Sequence, residues 1–326
     1  MDPVRVGLIG AGSVAQIAQL PALAALPDVV IAGVVTKTPE SAARNLARWP
    51  IEASYASADE MMSDARLDAV FVLTPRLEHV RFVELALNRG LDVYCEKPLA
   101  PTLDDARRLA SLSSATGALL MVGFNRRFAQ VYQAARAPFA DGFAMFCVAQ
   151  KNRSGSEYRA TFENAIHMVD LLRWFCGEPV EVTAHSVAPD PYREDGLMAL
   201  IRFESGSVGA LVAARLAGEW DERLDAYGAM TSARVVAPDS VSVIRDNTVT
   251  RTDARSTSYG WLDANVLLGF RPAVAHFIDC VRSRRQPLTN GEDASRTQEL
   301  LERILAAAGL PLQEAAETVW VSRSQR

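Results

Sequence analysis

The chain has 326 residues, of which 49% are hydrophobic and 22% charged, with a formal net charge of −5 at pH 7. That length exceeds what one core usually supports, so two domains are expected, and the apolar content excludes wholesale disorder. Slight acidity without a long basic stretch argues against nucleic acid as a partner, because phosphate binding needs a clustered basic face.

The start, Met1-Asp2-Pro3, runs straight into a strand pattern without a basic, apolar leader, and the longest apolar run, Leu20 to Val35, is broken by Pro21, Pro27 and Asp28. Neither a signal peptide nor a membrane span is expected, and a cytoplasmic protein is the simplest reading. Cys95, Cys147, Cys176 and Cys280 form no CxxC pair, which favours buried, reduced thiols over disulfides or a zinc site.

The apolar run Val4 to Ile9 passes into Gly10-Ala11-Gly12-Ser13-Val14-Ala15. A strand, a glycine-rich turn and a helix in this order begin a dinucleotide-binding βαβ unit. Gly10 permits the tight turn, Gly12 lets backbone approach a pyrophosphate, and Ala15 allows close helix-to-strand packing. The N–H groups at the helix start, around Ser13 and Val14, then face the phosphates.

Val14 to Leu26 reads as the helix, and Val29 to Val35 as a fully buried strand. NAD-binding units usually carry an acid at the end of that strand, yet here stands Thr36-Lys37-Thr38, with Arg44 further on. A hydroxyl and an ammonium suit the extra phosphate of NADP, so NADP is preferred over NAD; Thr38, Pro39 and Glu40 equally suit a helix cap.

Further strands are expected near Ser54-Tyr55, at Ala69 to Leu73, at Asp92 to Cys95 and at Leu119 to Val122. Between them come helices that start near Ser57, Glu78 and Thr102. Alternation at this spacing predicts a doubly wound α/β Rossmann sheet over 1–125. Gly10, Thr36, Thr74, Lys97 and Asn125 all fall just past carboxyl ends of these strands, where open parallel sheets bind ligands.

Beyond about Arg127 closely spaced strands take over: Phe143 to Gln150, Val180 to Val187, Leu197 to Glu204 and Ser207 to Leu216, with more short runs to Thr252. Helices follow at about Pro272 to Arg285 and Glu292 to Ala308, then a last strand near Val319 to Val321. This pattern predicts an α+β domain with a mostly antiparallel sheet over 126–326, which the resemblance given below implies is large and open-faced.

Two sets of residues could carry chemistry. Pro98 disfavours the helical region for Lys97 and holds it extended at the sheet edge, where its ammonium could donate to a substrate oxygen. Glu163, His167 and Asp170 share one face of an otherwise apolar helical stretch. They suit an acid/base histidine beside a carboxylate. They also suit a core histidine, a first-turn acid and an Asp170–Arg173 pair. No HExxH, cysteine cluster, GxSxG or Walker lysine occurs, so no metal site is expected and hydride transfer remains.

Gly10-Ala11-Gly12, Thr74-Pro75 with His79, Glu96-Lys97-Pro98, Gly123-Phe124-Asn125-Arg126-Arg127-Phe128 and the His167 helix together resemble the glucose-fructose oxidoreductase, inositol dehydrogenase and MocA family. The resemblance runs over nearly the whole chain. It implies a hydride exchange between NAD(P) and a sugar, cyclitol or related polyol, in a homodimer or homotetramer built through the open sheet.

By that likeness Lys97 contacts substrate and His167 is the acid/base, with Glu163 where the family often has Asp. Asn152, Arg153 and Tyr158, in the loop after the first strand of the second domain, are further substrate contacts. Cofactor contacts are Gly10, Gly12, Ser13, Val14, Thr36, Lys37, Thr74, Pro75, His79, Glu96, Lys97 and Asn125. The alternatives are a glycosidase that oxidises its substrate transiently and a non-catalytic dinucleotide-binding regulator.

Overall fold

Val4–Ile9 forms β1 in the middle of a six-stranded sheet, paired in parallel on one side with β2 (Val29–Val35) and on the other with β4 (Ala69–Val72). The sheet belongs to a computed structural model that describes residues 2–157, 159–254 and 264–312. Tyr158 and the strand expected near Val319 to Val321 lie outside the described residues. With β3 (Ser54–Tyr55), β5 (Asp92–Cys95) and β6 (Leu120–Val122) the order is β3-β2-β1-β4-β5-β6, every pairing parallel. The order reverses at β1, so the carboxyl ends of β1 and β4 open a crevice there.

The first crossover begins as a π-helical turn, Ala15–Gln19, and continues as α1 (Leu20–Ala24). Later helices carry the local signals that start and stop them. Thr38 and Ser57 accept the N–H of Ser41 and Glu60 to cap α2 (Pro39–Arg48) and α3 (Ala58–Asp64). After α4 (His79–Leu87), Thr102 caps α5 (Leu103–Thr116), and Gly117 ends it at φ 74°.

One compact unit comprises Met1–Ala134, Pro238–Val241 and Arg251–Gln298. Its apolar centre includes Phe71 and Tyr94, stacked at 4.9 Å, with Phe277 edge-on to both. Phe277 lies far along the chain, so the sheet's packing partners come partly from beyond residue 264.

A second unit comprises Ala135–Ala237, Ser242–Thr250 and Glu299–Arg326. After α6 (Gln130–Arg136) come β7 (Phe146–Ser154), a π-helical turn (Ala160–Ala165) and α7 (Ile166–Cys176). The remaining strands are β8 (Pro179–Val187), β9 (Gly196–Phe203), β10 (Val208–Ala214), β11 (Leu216–Gly228), β12 (Thr231–Val236), β13 (Ser240–Arg245) and β14 (Thr248–Asp253). The eight strands order as β14-β13-β12-β11-β7-β10-β9-β8; β7 and β10 pair in parallel, whereas β8–β9, β9–β10, β7–β11 and β11–β12 are antiparallel. Helices α8 (Ala264–Leu267), α9 (Phe270–Ser283) and α10 (Gly291–Ala307) complete the described chain. Among the described residues no helix is long and apolar enough to cross a membrane.

Strand alternation gives the eight-stranded sheet two unlike faces. Cys147, Ala149 and Lys151 of β7 and Glu222, Leu224 and Ala226 of β11 are buried. On the other face Leu200, Ala210 and Val148 lie in register across β9, β10 and β7, as do Met198, Val212 and Gln150.

Candidate active site

At the carboxyl edge of the parallel sheet Gly10 adopts φ +89°, and a Cβ there would stand 2.9 Å from the Leu73 backbone. Conformation and space therefore both require glycine. Gly12 differs: a Cβ would meet no described atom within 4 Å, so internal packing makes no such demand. Close approach of a phosphate does, and the exposed turn fits a dinucleotide. Gln16 fixes the turn, its amide donating to Ala11 O at 3.4 Å and to Asn45 Oδ1 at 2.6 Å while accepting from Trp49 Nε1 at 3.0 Å. Ser13 and Val14 stand exposed beside it.

Past β2, the half-buried Thr36 donates its hydroxyl to Thr38 O at 2.9 Å, and Lys37 is exposed. Past β4 and β6, Thr74 Oγ1 and Asn125 Oδ1 are buried without a hydrogen-bond partner among the described residues. Asn125 donates its amide to Leu268 O at 2.7 Å, which fixes its orientation. Buried polar atoms normally find partners, so these two fit the polar groups of a bound nucleotide.

His79 is 1% exposed, with Nδ1 2.8 Å from Pro98 O and Nε2 2.8 Å from Thr74 O. Both ring nitrogens thus face backbone carbonyls, and a neutral ring, with a single N–H, donates to one of the two. The ring ties the turn after β4, where Pro75 stands exposed, to the one carrying Lys97. Burial is the main influence on this imidazole and lowers its pKa.

Glu96 and Lys97 are half-buried at the end of β5. The Gln19 side-chain amide donates to Glu96 Oε1, and Lys97 N–H donates to Oε2 at 3.3 Å. Burial pushes the Glu96 carboxyl up to about 6, opposed by the Lys97 charge.

In the second unit His167 is 6% exposed in the first turn of α7. The π-helical turn before it, Ala160–Ala165, carries Glu163 four residues ahead of His167. Glu163 Oε2 accepts the Arg159 backbone N–H at 3.2 Å, the behaviour of a first-turn acid. Asp170 is fully buried, and Arg173 reaches both oxygens of Glu178 at 2.6 and 3.3 Å.

β7 extends to Ser154, so Asn152 and Arg153 point to opposite faces. Asn152 pairs with Asp221 at 3.5 Å, away from the face that holds Lys151. Arg153 Nε donates to Asn164 Oδ1 at 3.0 Å in the π-helical turn and so joins the helix that carries His167. Reading these residues as a loop hid this alternation. It also hid Lys151, whose Nζ lies 2.7 Å from Glu222 Oε2 with both side chains buried.

Strand order, glycine turn and polar edge together define a dinucleotide-binding Rossmann domain followed by an α+β domain. Residues 4–124 match the oxidoreductase family described as NAD-binding Rossmann fold, and residues 149–234 match the GFO/IDH/MocA C-terminal domain. The chain is 30% identical over 286 residues to the D-apiose dehydrogenase of Paraburkholderia graminis, covering 79% of this chain and 75% of that one. It is 28% identical over 298 residues to the inositol 2-dehydrogenase of Rhizobium meliloti, covering 83% and 88%. The UDP-N-acetylglucosamine 3-dehydrogenase GnnA of Acidithiobacillus ferrooxidans shares the fold, with a TM-score of 0.84 at 22% identity over 96% of this chain and 100% of that one. The chain belongs to the GFO/IDH/MocA family of oxidoreductases.

Proposed function

We propose that the protein is an NADP-preferring dehydrogenase that interconverts a secondary alcohol and a ketone on a sugar, cyclitol or related polyol. The observation that carries this reading is the edge of the parallel sheet, where a glycine turn open to a phosphate shares one rim with Thr74, Asn125 and Lys97. The nicotinamide supplies or accepts the hydride when bound. Lys97 donates to the substrate oxygen, and His167 takes or returns its proton. Arg153, held by Asn164, is the substrate contact of β7. A screen of polyols and keto-sugars with both cofactors, read by nicotinamide absorbance, tests the reading; cofactor binding with no turnover of any of them would favour a regulator instead.

For the cofactor, Thr36 and Lys37 offer a hydroxyl and an ammonium where a carboxylate would repel a ribose phosphate. Thr36→Asp is expected to move the ratio of kcat/KM values toward NAD by at least about tenfold, the equivalent of ~1.4 kcal/mol. An unchanged ratio sinks the NADP preference.

The outward rows of the eight-stranded sheet carry Phe146, Met198 and Leu200, each more than half exposed. An apolar patch on a sheet face marks an interface, and a second copy of the chain is its proposed occupant. Replacing Met198 and Leu200 together by Asp is expected to convert the oligomer to monomer in light scattering. A chain that is already monomeric, or an oligomer that persists, would dismiss the interface.

A further inference from the structure

A chain of hydrogen bonds runs from the glycine turn, through α2, to the end of β2, and the Gln16 side chain is where it starts. The Gln16 amide nitrogen donates to Ala11 O inside the turn at 3.4 Å and to Asn45 Oδ1 at 2.6 Å. Asn45, buried on α2, donates its own amide to Ser41 O at 2.8 Å. The Ser41 N–H donates to Thr38 Oγ1 at 3.3 Å, and Thr38 O accepts the Thr36 hydroxyl at 2.9 Å. Chemistry fixes the direction of the side-chain amides. An indole nitrogen only donates, so Trp49 Nε1, 3.0 Å from Gln16 Oε1, holds the oxygen there and turns the amide nitrogen toward Ala11. Ser41 O only accepts, so Asn45 presents its oxygen to Gln16.

We propose that Gln16 is a positioning residue for the cofactor: it holds the turn that meets the pyrophosphate at a set distance from Thr36, which meets the adenosine ribose. This rests on the reading that places those two parts of a dinucleotide at Gly12 and Thr36. Each end keeps a local structure that owes nothing to the Gln16 side chain. In the turn, the Gly10 N–H donates to Val35 O at 2.9 Å and the Gln16 N–H to Gly12 O at 3.0 Å, both through backbone. At the other end Thr38 caps α2. What the side chain adds is the placement of α2, and of the residues that lead into it, against the turn. A ligand that grips both ends gains affinity because its second contact is intramolecular, and that gain falls when the ends are not held at the ligand's span. A ligand that fills one end has no such gain to lose. Gln16 carries no charge, so its effect is on geometry and not on the field at the phosphates.

The test compares ligands that span both ends with ligands that fill one, in the full chain as wild type, Gln16→Leu and Asn45→Leu. ADP-ribose and its 2′-phosphate span the two ends; inorganic pyrophosphate and adenosine 2′-phosphate fill one each. Calorimetry reads the spanning pair, and saturation-transfer NMR reads the weaker fragments. Gln16→Leu is expected to weaken both spanning ligands about tenfold while each fragment stays within about twofold of its wild-type affinity. Asn45→Leu breaks the chain at its middle without touching either end, and is expected to give the same split. Fragments weakened as much as the spanning ligands would make Gln16 a structural residue of the turn and overturn the proposal. Spanning affinities unchanged in folded Gln16→Leu would overturn it too, as would an Asn45→Leu protein that binds like the wild type. Failure of the underlying reading is seen separately, as wild-type protein that binds ADP-ribose no more tightly than pyrophosphate. Equal wild-type affinity for ADP-ribose and its 2′-phosphate removes only the NADP preference, and the split is then read on ADP-ribose.

Discussion

Replacing His167 by Ala is expected to lower kcat by about a hundredfold to ten-thousandfold, the usual contribution of a general acid/base, while leaving cofactor affinity intact. A reacting hydroxyl must lose its proton as hydride departs, and imidazole is the side chain whose ordinary pKa lies nearest neutrality. His167 belongs to the second unit and the glycine turn to the first, so the deletion leaves the elements proposed to hold the cofactor in place. Stopped-flow turnover and cofactor titration by fluorescence, run on the same sample, separate the two quantities. Affinity that falls in step with kcat would remove His167 from the acid/base role and make it a structural histidine of α7. Replacement of Glu163 by Gln discriminates further. If Glu163 acts as a first-turn acid holding the Arg159 N–H, the substitution lowers thermal stability and leaves the pH dependence of kcat in place.

How far the sequence carried this picture depended on the range of the interactions involved. β2 and β5 lie at the residues their apolar runs indicate, because strands buried on both faces need no alternation and announce themselves as unbroken blocks. Thr38, Ser57 and Thr102 marked helix starts because a cap acts on an N–H only a few residues away. The π-helical turns at Ala15 and Ala160 had no such marker, since a wider turn is imposed by packing rather than by any residue type. Gln19 read as one polar residue of an ordinary helix, because its partner Glu96 stands 77 residues away. His79 belonged to a motif, yet nothing local indicated that both nitrogens would face carbonyls. Asn152 and Arg153 were a different case: period two would have separated them had β7 been extended by four residues beyond Gln150 to Ser154.

Lys151→Met is expected to destabilise the second unit by about 3–5 kcal/mol, the cost of leaving one buried charge without its partner. Lys151 and Glu222 face each other in register across β7 and β11, 1% and 0% exposed, with Nζ 2.7 Å from Oε2. Methionine matches the stem of lysine in length and shape, so the loss measures the stranded carboxylate rather than a cavity. The carbonyl of residue 151 still accepts the Asn164 amide, which keeps the π-helical turn tied to β7 and limits the damage to the charge. A chain of two units need not unfold in one step, so the measurement is hydrogen exchange of β7 and β11 amides, which reports opening of this sheet alone. The decisive comparison adds Glu222→Leu to Lys151→Met. Desolvating two charges costs roughly what their attraction returns, so the double variant is expected to recover most of the lost protection. Recovery would mean that the pair contributes little net stability and that each partner is retained because the other is there. A double variant as unstable as the single would mean that Glu222 supports the sheet through contacts other than Lys151, and the stability of the face beneath α7 would then have to be sought along β11.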